Sequence, residues 1–252
     1  MRFFLRLAYN GGSFHGWQRQ PNARSVQQTL EESLSTMFQR EIPITGAGRT
    51  DTGVHAREMY AHFDVEAMTI EKGRFLTSLN RLVGKEIAVY DLLEVNDDAH
   101  ARFDALSRTY RYYITREKDP FLYGQSHYMA GELDVAAMNE AAEILKETSD
   151  FTSFAKLHTD NKTNICRVSE AFWTPDSRGM LVFTISADRF LRNMVRAVVG
   201  TLVMVGSGKM NLRRFCEVID KKDRCEAGTS MPPQALFLEK ITYPEHIFRQ
   251  HH

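Results

Sequence analysis

Cysteine is scarce in this sequence: the 252 residues include three, at Cys166, Cys216 and Cys225. Their number is odd, they are widely spaced, and no two of them form a CxxC pair. These features argue against a disulfide framework and against a zinc site of the common spacing. Reduced thiols in a cytoplasmic protein are the simplest interpretation.

Long apolar runs and cofactor motifs are also absent from the sequence. No stretch approaches the length that spans a bilayer, and Met1-Arg2-Phe3 leads directly into a strand-like pattern, so we expect neither a membrane span nor a signal peptide. There is no P-loop and no GxGxxG motif, and His15, His55 and His62 are not spaced as a ligand set. We therefore expect no cofactor and no metal ion, and we treat each histidine as an ordinary core or surface residue.

The sequence has no excess charge of either sign, since 32 Lys and Arg residues balance 32 Asp and Glu residues. By itself this balance argues against nucleic-acid binding, because proteins that bind nucleic acids usually carry a basic excess. If RNA binds, the positive charge must be collected on one surface, with the acidic residues elsewhere.

What the sequence does contain is a repeated order of strand and helix patterns. The first half reads β-α-β-β-α-β, which is typical of a ferredoxin-like domain, and the second half repeats this order without visible sequence similarity. Asp97-Asp98-Ala99-His100 marks the boundary, which gives domains at 1–98 and 99–252. The sequence thus predicts an α+β fold in which two ferredoxin-like halves join into one mostly antiparallel sheet, with flanking helices and a cleft between the halves.

One polar, glycine-rich stretch separates two predicted strands, Glu41 to Thr45 and Met59 to Val65. It reads Gly46-Ala47-Gly48-Arg49-Thr50-Asp51-Thr52-Gly53-Val54-His55-Ala56. Glycines allow unusual backbone angles and close ligand approach, and here they bracket Asp51 with Arg49 nearby. The stretch is either a functional loop on a rigid support or a hairpin loop in which Asp51 and the threonines bond their own backbone. The local pattern by itself favours the hairpin loop, because most Gly/Asp/Thr clusters are turns.

A basic helix is predicted in the second half, from Arg189 to Val205. Spacings of three and four residues would place Arg189, Arg192 and Arg196 on one face of this helix. Such a face is either a solvated basic edge or a phosphate-binding surface. The absence of an interleaved acidic residue favours phosphate.

Two aromatic positions admit both a structural and a functional interpretation. Tyr110 lies in a strand predicted from Ala101 to Thr115, where it shares a face with Arg108 and Tyr112, and aromatics in half-buried strands are usually core residues. Trp17, in the loop after the first strand, could stack on RNA bases or pack the loop onto the domain, and we favour packing.

Four stretches of this chain, in the same order, resemble the TruA family of tRNA pseudouridine synthases. AGRTDTGVHA (47–56) is similar to the catalytic signature of that family, and the other three are YNGGSFHGWQRQPNARSVQQ (9–28), SRTYRYYI (107–114) and FLRNMVRAVVG (190–200). The stretches extend over nearly the whole chain. The resemblance implies a cofactor-independent isomerase that converts uridine to pseudouridine at positions 38 to 40 of the tRNA anticodon stem-loop, working as a homodimer.

The resemblance also implies roles for individual residues. Asp51 corresponds to the catalytic aspartate and Arg196 to its ion-pair partner, whereas Arg49 helps to hold the flipped nucleotide. Tyr110 stacks on the target uracil, and Leu236 forms an apolar pocket wall. The chain departs from the family at Ala235, where glycine is usual, and over 83–87, where a Leu-Pro pattern is more common.

The expected reaction breaks the C1′–N1 bond, turns the uracil and joins C5 to C1′. It requires an ionised carboxylate, and the sequence leaves two routes open: Asp51 adds covalently to the ribose or base, or it removes the C2′ proton to give a glycal. The alternative function from another class is a non-catalytic RNA-binding or RNA-folding protein with the same fold. A nucleoside or glycoside hydrolase is a more remote alternative, because no suitably placed second carboxylate is evident.

Overall fold

The computed structural model describes residues 1–66, 70–157 and 162–249. Within these residues the predicted fold class is confirmed: the protein is α+β, with nine strands of a largely antiparallel open sheet and five α-helices. In chain order the elements are β1 (Arg2–Tyr9), α1 (Val26–Phe38), β2 (Thr45–Gly46), β3 (His55–Asp64), α2 (Lys72–Leu82), β4 (Ile87–Val95), β5 (Ser107–Thr115), β6 (His127–Tyr128), α3 (Val135–Glu147), β7 (Val168–Pro175), β8 (Leu181–Ala187), α4 (Met194–Gly206), α5 (Leu212–Lys221) and β9 (Leu236–Thr242). None of the helices in the described ranges is long and apolar enough to cross a membrane.

The chain divides into two compact units. Met1–Leu106 and Leu238–His252 form the first, and Ser107–Phe237 forms the second. The division at 98 and 99 that the sequence predicts differs from these units in two respects. The first unit extends to Leu106, and the chain returns to it at Leu238.

In the first unit β1 is the central strand. It pairs antiparallel with β3 on one side and with β4 on the other, while β2 and β9 both adjoin β3. Ser25 caps α1, and its side chain accepts a hydrogen bond from the backbone N–H of Gln28 at 3.2 Å. Phe4 of β1 is fully buried, with its ring against Tyr243 and Phe248 near the end of the chain.

In the second unit β8 is the central strand. It pairs antiparallel with β5 and β7, β6 runs parallel to the end of β5, and every residue of β8 is buried. The Phe183 ring of β8 lies 4.9 Å from that of Trp173 in β7. Asp134 caps α3, and its side chain accepts a hydrogen bond from the Ala137 N–H at 2.9 Å.

Three predicted strands have different boundaries in the structure. The strand expected from Glu41 to Thr45 is reduced to the two residues of β2, Thr45–Gly46. The strand expected from Ala101 begins only at Ser107, because the Ala101 N–H donates to Nδ1 of His62 at 3.1 Å and its carbonyl accepts from the Tyr243 hydroxyl. Burial lowers the pKa of His62 to about 4, so this imidazole is a neutral acceptor and an ordinary core histidine. The strand expected from Met59 begins earlier, at His55, since pairing between β3 and β1 continues into the motif.

Candidate active site

Asp51 lies in the connection between β2 and β3. Gly46 ends β2 and His55 begins β3, so the glycine-rich stretch is partly strand and only its middle forms the loop. Asp51 is half-buried, between a buried Thr50 on one side and an exposed Thr52 on the other. Its carboxylate is thus attached to a backbone that is itself part of the domain core.

The backbone after Asp51 turns sharply. The Asp51 carbonyl accepts a hydrogen bond from the Val54 N–H at 3.1 Å, and Gly53 adopts the left-handed conformation with φ of 78°. The backbone of Asp51 therefore forms a turn, as a hairpin loop requires. This turn uses the carbonyl of Asp51 and not its carboxylate.

The segment that follows β1 holds the loop on both sides of Asp51. The Tyr9 hydroxyl lies 2.8 Å from Oγ1 of Thr50, and the Trp17 N–H donates to the Thr50 carbonyl at 3.2 Å. Beyond the aspartate, the Gly53 N–H donates to the Phe14 carbonyl at 3.3 Å. The stretches 9–28 and 47–56 are thus joined by hydrogen bonds, and Asp51 lies between the bonded residues Thr50 and Gly53.

Trp17 packs this structure rather than offering a surface for RNA. It is 2% exposed, its ring centroid lies 6.1 Å from that of Tyr9, and a methyl group on Gly46 would lie 2.3 Å from its indole. Gly16 has φ of 86°, and a methyl group there would lie 2.4 Å from the Thr50 carbonyl oxygen. The packing interpretation of Trp17 is confirmed, and the glycines permit the close approach of the two segments.

Tyr110 is a half-buried residue of β5, in the second unit. Its ring meets that of Phe190 edge-to-face, with centroids 5.1 Å apart. Arg108, which shares its strand face, donates from Nη1 to the Asp188 carbonyl at 2.8 Å. The segment that follows β8 therefore supports Tyr110, which is less buried than its neighbour Tyr112 at 0% exposure.

Arg196 is the only charged residue in α4, whose other residues are almost all buried. Its Nε donates to the Met231 carbonyl at 2.6 Å, and the Met231 N–H donates back to the Arg196 carbonyl at 3.1 Å. The buried Tyr112 hydroxyl donates to the carbonyl of Pro232 at 3.0 Å, and burial raises the pKa of this phenol far above its usual range. The orientation of the guanidinium is thus fixed by backbone groups.

Residues 228–232 run beside α4, although none of the stretches singled out in the sequence contains them. A methyl group on Gly200 would lie 1.9 Å from the Thr229 carbonyl oxygen, and the Gly228 N–H donates to Oγ1 of Thr201 at 2.9 Å. One sequence signal for this contact is Gly200, a glycine inside an apolar helical pattern. Gly228 is the second glycine at the contact. The contact of Phe190 with Tyr110 was not predicted from the sequence either.

The prediction of a basic helix that starts at Arg189 is wrong, because the helix starts at Met194. Arg189 and Arg192 precede α4, which starts at Met194 because Asn193 adopts the left-handed conformation with φ of 68°. Consequently the three arginines do not share a helical face. Arg192 is exposed and its carbonyl accepts from the Lys156 N–H at 3.0 Å, whereas Arg189 is half-buried and its N–H donates to Oδ1 of Asp188 at 2.7 Å.

Leu236, the predicted pocket-wall residue, is the first residue of β9 and is 5% exposed. A short 3₁₀ helix, Pro233–Ala235, precedes it, and Ala235 is fully buried there. The departure at Ala235 is therefore accommodated inside the fold. At the other departure Gly84 forms a turn with φ of 81°, and the Glu86 carbonyl accepts from the Asn10 N–H at 2.9 Å.

The predicted site residues are divided between the two units. Arg49 and Asp51 belong to the first; Tyr110, Arg189, Arg192, Arg196 and Leu236 belong to the second. Over the described parts of the chain, no group of three or more His, Cys, Asp or Glu side chains is placed to hold a metal ion. Each unit contributes a supported functional group: a half-buried carboxylate in the first, and an aromatic ring with an anchored guanidinium in the second.

Comparison with known proteins gives full-length matches. A family model described as tRNA pseudouridine synthase matches residues 7–104 and 141–244. The chain is 54% identical over 247 residues to tRNA pseudouridine synthase A of Parabacteroides distasonis, covering 98% of both proteins. It is 53% identical over 249 residues to that of Porphyromonas gingivalis, covering 98% of this chain and 99% of the relative. The protein of the same name from Shewanella amazonensis is 40% identical over 252 residues, with 97% and 94% covered.

The matched ranges contain Asp51 with its bracing segment, as well as Arg196 and Leu236 with the segment beside α4. Of the four stretches singled out in the sequence, 9–28, 47–56 and 190–200 lie inside the matched ranges. The stretch 107–114 lies between them, in a chain that the two relatives with the higher identities cover to 98%. The chain belongs to the TruA family of tRNA pseudouridine synthases, which are isomerases.

Proposed function

We propose that this chain converts uridine to pseudouridine in the anticodon stem-loop of tRNA, with Asp51 as the reacting carboxylate. The observation that carries the proposal is the bracing of Asp51: Thr50 before it and Gly53 after it are both tied to the segment that follows β1. A carboxylate held on a fixed backbone can be brought repeatedly to the same atom of a bound nucleotide.

The isomerisation is balanced without a co-reactant. The C1′–N1 bond breaks, the uracil turns within the site, and a C5–C1′ bond forms; the proton lost from C5 is balanced by the proton gained at N1. Asp51 assists in one of two ways, either by adding to the ribose or base and later leaving, or by removing the C2′ proton and returning it. Both routes require its ionised form.

The remaining site residues bind the nucleotide. Tyr110, supported edge-on by Phe190, stacks on the uracil, while Leu236 provides an apolar wall. Arg196 is the ion-pair partner of Asp51. Its anchored Nε supports this role, because a pre-oriented guanidinium loses little entropy on pairing.

The target uridine must leave its helix, which costs a few kcal/mol of stacking and pairing. Exposed Arg49 helps to hold the flipped nucleotide, and Arg189 and Arg192 contact the RNA backbone. The proposal also includes a homodimer in the cytoplasm, since one compact subunit offers limited surface to a whole tRNA. No cofactor is needed for the chemistry.

Asp51→Asn tests the proposal directly. The amide keeps the size of the side chain and can still accept hydrogen bonds, but it can act neither as nucleophile nor as base. We expect the variant to fold normally and to bind tRNA as well as the parent or slightly better, and to form no pseudouridine. Pseudouridine would be mapped along tRNA incubated with each protein. Asp98→Asn, at an exposed aspartate of the same unit, is the matched control and should be fully active.

The outcomes separate the proposal from its alternative. Substantial turnover by Asp51→Asn would remove this residue from the mechanism. A parent protein that binds tRNA and forms no pseudouridine would favour the non-catalytic RNA-binding function instead. Modification outside the anticodon stem-loop would contradict the substrate assignment alone.

A further inference from the structure

Two aromatic side chains project from the turn that follows β5 in the second unit. Phe121 and Tyr123 are each 89% exposed, more than any other large apolar side chain among the described residues. Isolated exposed apolar residues are common on monomers, whereas here two strongly exposed rings lie two positions apart on one short turn. Neither ring belongs to the candidate active site.

The turn that carries these rings is held in place by hydrogen bonds. Oδ1 of Asp119 accepts from the Phe121 N–H at 2.8 Å, and the carbonyl of Leu122 accepts from the Gln125 N–H at 3.0 Å and from the Ser126 hydroxyl at 3.2 Å. Pro120 starts the turn with a fixed φ. The rings are therefore presented on a defined backbone, which lowers the entropic cost of binding.

Leu122, between the two rings, points the other way. It packs on a core cluster of the second unit formed by Tyr113, Met180, Val182 and Phe237. The sequence Phe-Leu-Tyr thus places its middle side chain in the core and leaves its outer two in solvent. A turn that only connected two strands would need the inner contact and not the outer rings.

The charges beside the rings favour a protein partner over RNA. Arg116, Glu117 and Lys118 are exposed and Asp119 is half-buried, so cations and acids alternate without net charge. A polyanion gains little from such a surface. A second copy of the same surface, related by a two-fold axis, presents acids to cations and cations to acids.

The exposed area is also appropriate for self-association. A buried aromatic side chain removes roughly 150–250 Å² from solvent, so four rings from two copies supply roughly half of the 1,200–2,000 Å² that stable interfaces bury. Tyr128 of β6, 48% exposed, is a further apolar residue in the segment that follows the turn.

We infer that Phe121 and Tyr123 form the centre of the contact between two copies of this chain. This inference rests on the homodimer in the proposed function and assigns a surface to it. The rings act as rigid anchors at the middle of the interface, and the alternating charges of residues 116–119 fix its register.

The test is the oligomeric state without RNA, measured by sedimentation velocity over a range of concentrations. The double variant Phe121→Ser with Tyr123→Ser should raise the dimer dissociation constant by about thirtyfold or more, as expected when central anchors are lost. Phe103→Ser, which removes a ring that is 74% exposed in the first unit, is the control and should leave this constant unchanged. Thermal unfolding verifies that both variants are folded. Arg116→Glu with Lys118→Glu, which leaves the rings in place, should also weaken the dimer.

Each contrary outcome has a distinct meaning. A dimeric parent whose double variant remains equally dimeric overturns the assigned surface and leaves the homodimer intact. A monomeric parent overturns both. A monomeric parent whose double variant loses tRNA affinity assigns the rings to RNA and overturns the inference. Since none of these measurements depends on turnover, pseudouridine formation by the parent tests the proposed activity separately.

Discussion

Tyr110 packs against a neighbouring ring but is not fully buried. Its strand neighbour Tyr112 is completely buried and hydrogen-bonded to Pro232, whereas Tyr110 is half-buried and touches Phe190 edge-on. An edge-to-face contact with Phe190 covers at most one face of the Tyr110 ring. The strand pattern alone could not distinguish these two tyrosines, because both lie on one face at period two.

Replacing Tyr110 with phenylalanine or alanine separates stacking from proton handling. Tyr110→Ala should lose about 1–3 kcal/mol of affinity for RNA with an extruded uridine, because base stacking is lost, and Tyr110→Phe should retain this affinity. If the hydroxyl also handles the C5 proton, Tyr110→Phe will turn over slowly while still binding. RNA binding and single-turnover rates provide the measurements. Unfolding of both variants would instead identify Tyr110 as a core residue.

At the scale of elements, Gly46 and Gly48 at the connection between β2 and β3 have different surroundings. A methyl group on Gly46 would overlap the Trp17 indole at 2.3 Å, while one on Gly48 would meet no atom within 4 Å. Gly46→Ala should therefore destabilise the fold by about 1–3 kcal/mol, as overpacking does, and Gly48→Ala should change stability by less than about 0.5 kcal/mol. Denaturant unfolding compares the two. Equal destabilisation would show that the Trp17 contact is unimportant.

The segment before α4 carries the arginines assigned to the RNA backbone. Arg189→Ala and Arg192→Ala should each weaken tRNA binding and reduce the slope of log affinity against log salt by about 1, since each phosphate contact releases a counterion. Arg213→Ala, at an exposed arginine paired with Glu217 on α5, is the control and should keep the parent slope. An unchanged slope in the first two variants would mean that this segment is merely a solvated basic edge.

The sequence predicted most elements where their signals are local. Ser25 and Asp134 cap their helices, and such caps can be recognised in a sequence because a capping side chain and its amide lie within three residues of each other. The predicted start of α4 was wrong because Asn193 adopts a left-handed conformation. The side-chain amide of Asn193 donates a hydrogen bond to Oγ of Ser230 at 2.6 Å. That partner is 37 residues away, so no local pattern reveals it.

For the candidate site, the motif identified Asp51 and its neighbours but could not reveal their support. The bracing contacts join residues far apart in sequence, such as Tyr9 and Thr50, which are 41 positions apart. The glycines suggested close approach to a ligand. At Gly46 the close neighbour is instead Trp17 of the same chain.

At the scale of the whole molecule, the first unit needs both ends of the chain. Leu238 and Ile241 of β9 are buried, and Tyr243 and Phe248 pack against Phe4. A fully buried apolar side chain contributes roughly 1.5–3 kcal/mol, and the half-buried Tyr243 and Phe248 contribute less. The sum is still a large part of a typical domain stability of 5–15 kcal/mol.

A chain that ends at Phe237 should therefore lose the fold of its first unit, whereas one that ends at Arg249 should match the parent. Hydrogen exchange measures this directly: amides of β1 and β3 should lose protection in the shorter chain, and those of β8 should keep more of theirs. Protection of β1 in the chain ending at Phe237 would show that β9 is dispensable.

The return of the chain at Leu238 has a consequence for synthesis on the ribosome. At 5–20 residues per second, roughly 7–26 seconds separate the appearance of Leu106 from that of Leu238. During this interval the segment with Asp51 has been made but the strand that adjoins β3 has not, whereas the second unit is continuous and is completed first. A chain terminated before β9 would thus carry the segment with Asp51 on an unfinished sheet, so we expect activity only from chains translated beyond that strand.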